Sequence, residues 1–473
     1  MKKTLRLRQI PMVSGQRGRV LVATSFIDPD RGMVRCHAAP LLAELLAREH
    51  TGSATGLRFE LGPAPEEVST DSCGSDAVMV TASYVDRRGI PAGLALVAHR
   101  ADGAAVMLAQ TAAARWMTVL RSRRLLVADA GPLCWGGQRA VRMIEDSVRA
   151  RPGSTFVIGL PVNGPAAWER AGVVCTDDVS AVPDGAHVVF PAHGVTPAMR
   201  EQAAARGLHV TDATCPLVAA VHADAAHYAA RGDRVVVVGN SRHASLPVLA
   251  AHADAAAVVV ENTAHADALA DSALHASIEK PGGAGISFVI DPGMAIEDAM
   301  PVLATLRARF PHLAGHHFDV LCEDASDRAQ TIGSVACASE LMLLITADRD
   351  DPDTQVALEA TARARSRAGQ VAGGGSLVQV LTRLADLEPG WLSDATTIGL
   401  AATPSAPPGL QQRIMSVLAG LGPLSVRRRS VHTYGIDVQD AAHGDHRAED
   451  APPAQPSSAS EGTTGGMRLI GVR

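Results

Sequence analysis

The residues with the clearest chemical potential are cysteines. The 473-residue chain has seven of them, thinly spread and with no CxxC pair, which argues against a secreted disulfide framework and against a zinc ribbon. Three share one local pattern. Cys134 follows "LLVADAGPL" and precedes "GGQRAVRMIEDSVRA"; Cys215 follows "LHVTDAT", with Pro216 at a first helical position; Cys322 follows "HHFDVL" and precedes "EDASDRAQTIGSVA". Each reads as strand, cysteine, helix. A helix N-terminus stabilises anionic sulfur, so each position suits a thiolate ligand. The other four differ: Cys36 and Cys337 lie inside apolar helical patterns, Cys73 sits in a polar loop, and Cys175 ends a strand with no clear helix directly after it. A single cysteine at an element boundary is commonly just a small buried side chain. Three in one context weaken that reading without overturning it, and leave a multi-lobed α/β enzyme for which a metal held by thiolates from distant parts of the chain is one of two alternatives.

The elements that must position these thiols follow from the hydrophobic rhythm. From "RRLLVADAG" at 123, short β-branched runs alternate with Ala/Arg-rich helical stretches: "STFVIGL", "AHVVFPAHG", "LHVTDA", "DRVVVVGN", "AAVVVEN", "ISFVI", "ELMLLITA" and "TTIGLAATPS". That alternation predicts an α/β fold with parallel sheets, in which ligands collect where strands end and helices begin. Residues 1–122 read as a separate N-terminal α+β domain of unassigned role. In it "DAVMVTASYVD" and "GLALVAHRADGAAVMLAQ" are β-like runs joined through "RRGIPAG" as a hairpin or meander. Residues 123–436 form the core, and 437–473, polar and rich in Pro, Ser and Gly, read as a largely disordered tail.

Composition excludes several classes. With 47% hydrophobic residues the chain can bury a large core and should form more than one domain. A net charge of −6 and only 3% aromatic residues offer neither the basic field nor the stacking platforms of a nucleic-acid binder. The basic start "MKKTLRLRQIPMVSGQRGRV" has no apolar segment behind it, and no run of about eighteen apolar residues occurs. The reading is a cytoplasmic protein with a small-molecule partner, without nucleic acid or membrane.

The motifs carry more than their positions do. "DATCPLV" followed by His222, "AHGV" at 192–195, "LCWGG" around Cys134, "VPDGAHVVFPAHGV", and "SAPPGL" from Ser405 together resemble the 4-hydroxy-3-methylbut-2-enyl diphosphate reductase family, collinearly from about residue 123 to 436. The resemblance implies three pseudo-symmetric α/β lobes around a central [4Fe-4S] cluster held by three cysteines, matching Cys134, Cys215 and Cys322. Three thiolates would leave one iron without a protein ligand, open to act as a Lewis acid. The implied reaction is reductive dehydroxylation of an allylic diphosphate to isopentenyl and dimethylallyl diphosphates, with a ferredoxin- or flavodoxin-type electron donor. His193 and His243 match catalytic and substrate-binding histidines of the family. Ser405 matches a phosphate-binding hydroxyl, and Asn163 in "GLPVNG" stands where the family has a further histidine of the substrate site.

The chain also departs from the pattern. Ser245 in "HASL" replaces the family's proton-delivering glutamate, Pro292 and Gly293 replace a threonine pair, and Asp350, Asp351 and Pro352 align with a Ser-Ser-Asn diphosphate clamp. Two alternatives stand beside the reductase: a paralogue that reduces a different, less anionic substrate, and a non-catalytic cluster protein acting as redox sensor or electron carrier.

Overall fold

The alternating runs become three parallel sheets in the computed structural model, which describes residues 2–10, 17–51, 57–64, 76–85, 91–131, 133–153, 155–159, 168, 172–241, 243, 245–253, 257–270, 285–315, 322–369, 377–432 and 435–440. One sheet has the order β10-β9-β11-β12, from β9 (Thr155–Ile158), β10 (Val173–Thr176), β11 (His187–Phe190) and β12 (His209–Asp212), every pair parallel. The next has the order β14-β13-β15-β16, from β13 (Arg234–Val238), β14 (Val258–Val260), β15 (Ile286–Ile290) and β16 (Ala314–Gly315), again all parallel. The third joins β8 (Arg123–Ala128) to β17 (Leu341–Ile345), β18 (Leu377–Leu381), β19 (Thr397–Ala402), β20 (Leu424–His432) and β21 (Gly435–Asp440) in the order β18-β17-β19-β8-β20-β21. Only β21 runs antiparallel there. Strands such as β15 and β17 are buried along their whole length, which is why they read as unbroken apolar runs instead of alternating ones.

Helices follow the strands: α1 (Ala39–His50), α2 (Gly103–Val119), α3 (Trp135–Ala150), α4 (Pro197–Ala205), α5 (Pro216–Ala230), α6 (Ser245–His252), α7 (Thr263–Ala270), α8 (Ile296–Arg309), α9 (Glu323–Cys337), α10 (Pro352–Arg367), α11 (Pro389–Leu392) and α12 (Leu410–Gly420). None of the described helices is long and apolar enough to cross a membrane.

The first 122 residues build a mixed sheet from β1 (Lys2–Ile10), β2 (Arg19–Ala23), β3 (Ser25–Asp28), β4 (Gly32–Arg35), β5 (Arg58–Gly62), β6 (Ala77–Val85) and β7 (Pro91–His99), backed by α1 and α2. The expected hairpin is β6–β7, antiparallel in register from Ala77↔His99 to Val85↔Pro91. Its continuation differs from the β-like expectation: from Gly103 the chain is helical, because Asp102 caps α2 by accepting from the Ala105 N–H at 3.0 Å and the alanines that follow favour helix. Cys36 likewise lies outside a helix, between β4 and α1, its N–H donating to the Thr24 carbonyl at 2.8 Å. Cys337 is the last residue of α9. Cys73 and the run before Cys322 lie outside the described residues.

Met1–Asp440 pack as one unit, and the apolar core crosses the boundary expected near 122. Leu41, Leu42 and Trp116 share one cluster with Leu343, Leu400 and Ile414. Arg123, at the junction itself, is 4% exposed, and its guanidinium donates to the carbonyls of Val119 at 2.6 Å and Leu392 at 2.8 Å. Burial lowers its pKa to about 10. Tyr84 Oη, from β6, donates to the Ala419 carbonyl of α12 at 2.9 Å. At the other end β21 carries regular structure to Asp440, past the expected start of the tail; residues 441–473 lie outside the described residues.

Candidate active site

The chemically capable side chains sit at the carboxyl ends of the three parallel sheets. Cys134, Cys215 and Cys322 are the N-cap residues of α3, α5 and α9, the strand-end position that suits a thiolate. Cys134 Sγ accepts the Gly137 N–H at 3.2 Å, and the Cys215 N–H donates to the Ala192 carbonyl, one residue before His193, at 2.9 Å. Gly136 lies against both sulfurs: a β-carbon there would fall 2.7 Å from Cys215 Sγ and 3.8 Å from Cys134 Sγ. Cys322 is near enough to feel both other thiols. Burial pushes its thiol up to about 12; the Asp324 carboxylate, Cys134 and Cys215 act in the same direction, against an Asp324 N–H that lowers it.

That donor set fits an iron-sulfur cluster in its chemistry. Two of the sulfurs, those of Cys134 and Cys215, lie against Gly136, the third thiol caps a helix close enough to be acted on by both, and a thiolate is the usual ligand of such iron. Among the described residues no three His, Cys, Asp or Glu side chains converge as they would on a single metal ion. A multi-iron cluster takes its thiolates on different irons, so its ligands need not meet at one point.

A second group lies beside His193, which follows β11, and His243, which follows β13. Their ring centroids are 5.2 Å apart with planes at 52°. Behind His243 is Asp291, at the end of β15 and 0% exposed. Asp291 Oδ2 is 3.3 Å from His243 Nδ1, and Asp291 Oδ1 accepts a short hydrogen bond from Ser245 Oγ, itself 2.5 Å from Nδ1. Burial would lower the pKa of His243, but the hydrogen bond and charge of Asp291, reinforced by Asp353, leave it raised. His193 is driven the other way, by burial and then by the charge of His243. Two adjacent imidazoles are thereby set apart, one favouring its proton and one losing it.

Ser405 lies at the ends of the third sheet in a ladder of hydroxyls: its Oγ is 3.0 Å from Thr403 Oγ1 and 3.2 Å from Thr346 Oγ1, which is 2.6 Å from Thr354 Oγ1. Asn163 lies outside the described residues.

The whole constellation falls within one family match. The LytB protein family model covers residues 125–419. This chain belongs to the LytB protein family. Curated relatives include 4-hydroxy-3-methylbut-2-enyl diphosphate reductase 2 of Mycobacterium bovis, 32% identical over 66% of this chain and 91% of its own length. The corresponding reductase of Klebsiella pneumoniae is 27% identical over 65% of this chain and 95% of its own length. Among solved structures, the E-1-hydroxy-2-methyl-but-2-enyl-4-diphosphate reductase from Plasmodium falciparum shares the fold, with a TM-score of 0.53 at 20% identity, over 65% of this chain and 92% of its own.

Within this LytB core, three functional candidates escaped sequence reasoning. Asp291 was hidden because "VIDPGM" draws attention to the positions after it, and the buried end of a strand gives no sign of an inward carboxylate. Asp353 was hidden by its neighbours. In "DRDDPD" the sequence points to Asp350 and Asp351, yet Asp350 is exposed and Asp351 caps α10, accepting the Asp353 N–H at 2.9 Å. It is Asp353 whose charge acts on His243; burial raises its pKa, while His243 and Arg328 oppose that. Arg328, on α9, donates to the Gly131 carbonyl at 2.7 Å and so holds the loop that leads into Cys134. A conserved spacing of one acid after a proline-started helix turn would have been the only signal for Asp353, and one sequence cannot supply it.

Proposed function

We propose that the chain is an iron-sulfur oxidoreductase that removes a hydroxyl reductively from an allylic diphosphate, giving isopentenyl and dimethylallyl products. The observation that carries this reading is the approach of the Cys134 and Cys215 thiols at Gly136, with Cys322 within electrostatic reach of both, each on a helix N-terminus, within a family whose curated relatives are named for that reduction. The three cysteines would hold a [4Fe-4S] cluster, which when bound supplies electrons and an iron open to a substrate hydroxyl. Electrons come from a ferredoxin- or flavodoxin-type donor.

The chain's own residues account for binding and protons. His243, whose proton is held by the hydrogen bond and charge of Asp291 against the effect of burial, is the group suited to give a proton. His193, its pKa lowered, is suited to offer a neutral N–H to an anion or to the substrate hydroxyl. Ser405, in its hydroxyl ladder, anchors phosphate oxygens; Asn163, outside the described residues, is assigned to substrate binding by the resemblance alone. Removing water from around these groups strengthens each contact.

Asp353 favours a second reading, a substrate carrying less negative charge, because its carboxylate acts on the same His243. Anaerobic titration of the cluster spectrum decides between them. Tighter binding of 4-hydroxy-3-methylbut-2-enyl diphosphate than of the corresponding free diol, with turnover by a reduced low-potential donor, supports the first. Tighter binding of the diol supports the second. A chain purified without oxygen that contains no iron or sulfide rejects both.

A further inference from the structure

We infer that Asp291 is a positioning residue that commits His243 Nδ1 and holds the imidazole protonated, making His243 Nε2–H the proton donor of the site; the inference rests on the reductive reading above. Three observations converge. Asp291 is wholly removed from water, and a carboxylate in that position is costly unless its oxygens are satisfied. Oδ1 accepts from Ser245 Oγ, which leaves that hydroxyl to accept from Nδ1–H at 2.5 Å, while Oδ2 makes no hydrogen bond among the described residues and stands 3.3 Å from the same nitrogen, where only a charged imidazolium compensates it. The ring packs where only a glycine at 293 leaves room for it, since a β-carbon there would lie 2.2 Å from His243 Cε1, 2.4 Å from Nδ1 and 2.6 Å from Nε2. With Nδ1 taken up by Ser245 beside the Asp291 charge, Nε2 is the nitrogen left to pass a proton elsewhere.

Asp291 therefore acts on the substrate only through His243. The overall change, R–OH + 2e⁻ + 2H⁺ → R–H + H₂O, needs two electrons, from the one-electron carrier, and two protons. His243 Nε2–H gives one proton to the departing oxygen as the C–O bond breaks, so that the hydroxyl leaves as water. The second proton, from solvent, ends on carbon, and His243 regains its own from water.

The titratable and charged groups facing His243 are Asp291 at the end of β15, His193 after β11 and Asp353 in the first turn of α10. Asp291 and Asp353 favour the imidazolium and His193, if charged, opposes it. Because the donor is the protonated form, turnover should fall as pH rises through the His243 pKa. Loss of the Asp291 carboxylate should move that fall to lower pH.

The test measures the His243 titration midpoint in the full chain by deuterium exchange at imidazole Cε1, read by peptide mass spectrometry, for wild type, Asp291→Asn and Ser245→Ala. The expected result is a midpoint lowered by about one pH unit or more in Asp291→Asn. Ser245→Ala should show a smaller fall, and the alkaline limb of turnover should move in parallel. An unchanged midpoint in Asp291→Asn overturns the inference. If that variant does not fold, an unchanged midpoint in Ser245→Ala overturns it. Iron and sulfide content of the same samples tests the reductive reading separately, because the midpoint is measured whether or not the chain turns over.

Discussion

Gly136 and Cys215 approach so closely that a single methyl group at position 136 would stand 2.7 Å from the cysteine sulfur. The helix that Cys134 caps thus passes its second residue under the thiol supplied by another helix. Gly136→Ala should cost much of the bound iron although every cysteine is present. Serine at Cys134, Cys215 or Cys322 should cost most of it, while Cys175→Ser and Cys337→Ser should retain it. Iron and sulfide analysis after oxygen-free purification checks all six variants, and full iron in the three ligand variants would refute the cage.

The N-terminal sheet and the third parallel sheet share their apolar core. A chain starting near Arg121 would strip α1 and α2 from α12 and α11, which they pack against, and we expect it to be poorly soluble or strongly destabilised. Arg123→Met in the full chain should be milder. It strands the Val119 and Leu392 carbonyls but also relieves a buried cation, so a loss of about 1–3 kcal/mol is expected in denaturant titration.

Asp353→Asn should strengthen binding of a diphosphate ligand, on the order of tenfold for one partly screened charge. Asp350→Asn should leave it unchanged, since that carboxylate is exposed. The gain should shrink as pH falls through the raised Asp353 pKa, where the wild-type group becomes neutral as well. Isothermal titration with inorganic pyrophosphate at two pH values reads both effects.

His222 is 5% exposed and stacks on His252 with ring centroids 4.2 Å apart. Burial, then the charges of His252 and Arg200, lower its pKa to about 4. The unfolded chain therefore takes up its proton first as pH falls. Stability should be full above about pH 6.5 and should decline from there to about pH 4, by up to about 3 kcal/mol from this residue. His222→Phe should flatten that decline in urea titrations at stepped pH.

Much of this was legible in the residues. Strand positions could be read because buried parallel strands are short unbroken apolar runs, as in "RVVVV" and "LMLLI". The three N-cap cysteines could be read because strand, thiol and helix are contiguous in sequence. What could not be read depends on long-range packing. The same apolar alanines that look strand-like after "GLALVAH" become α2 once Asp102 caps them. Asp291 meets Ser245 across 46 residues, and no local pattern announces a carboxylate at the buried end of β15. The boundary near 122 looked like a break because composition changes there, whereas burial of Arg123 makes it a seam.

The position of β8 has a consequence for synthesis. It is the first strand of the family core, yet its partners are β19 and β20, close to 300 residues further along. While the ribosome is still extending the chain, β8 is an unpaired apolar strand with the Cys134 thiol just beyond it. The sheets of β9–β12 and β13–β16 can close as they emerge, but the third must wait for nearly the last residues of the core. A chain truncated before Leu424 would keep one edge of β8 open to aggregation.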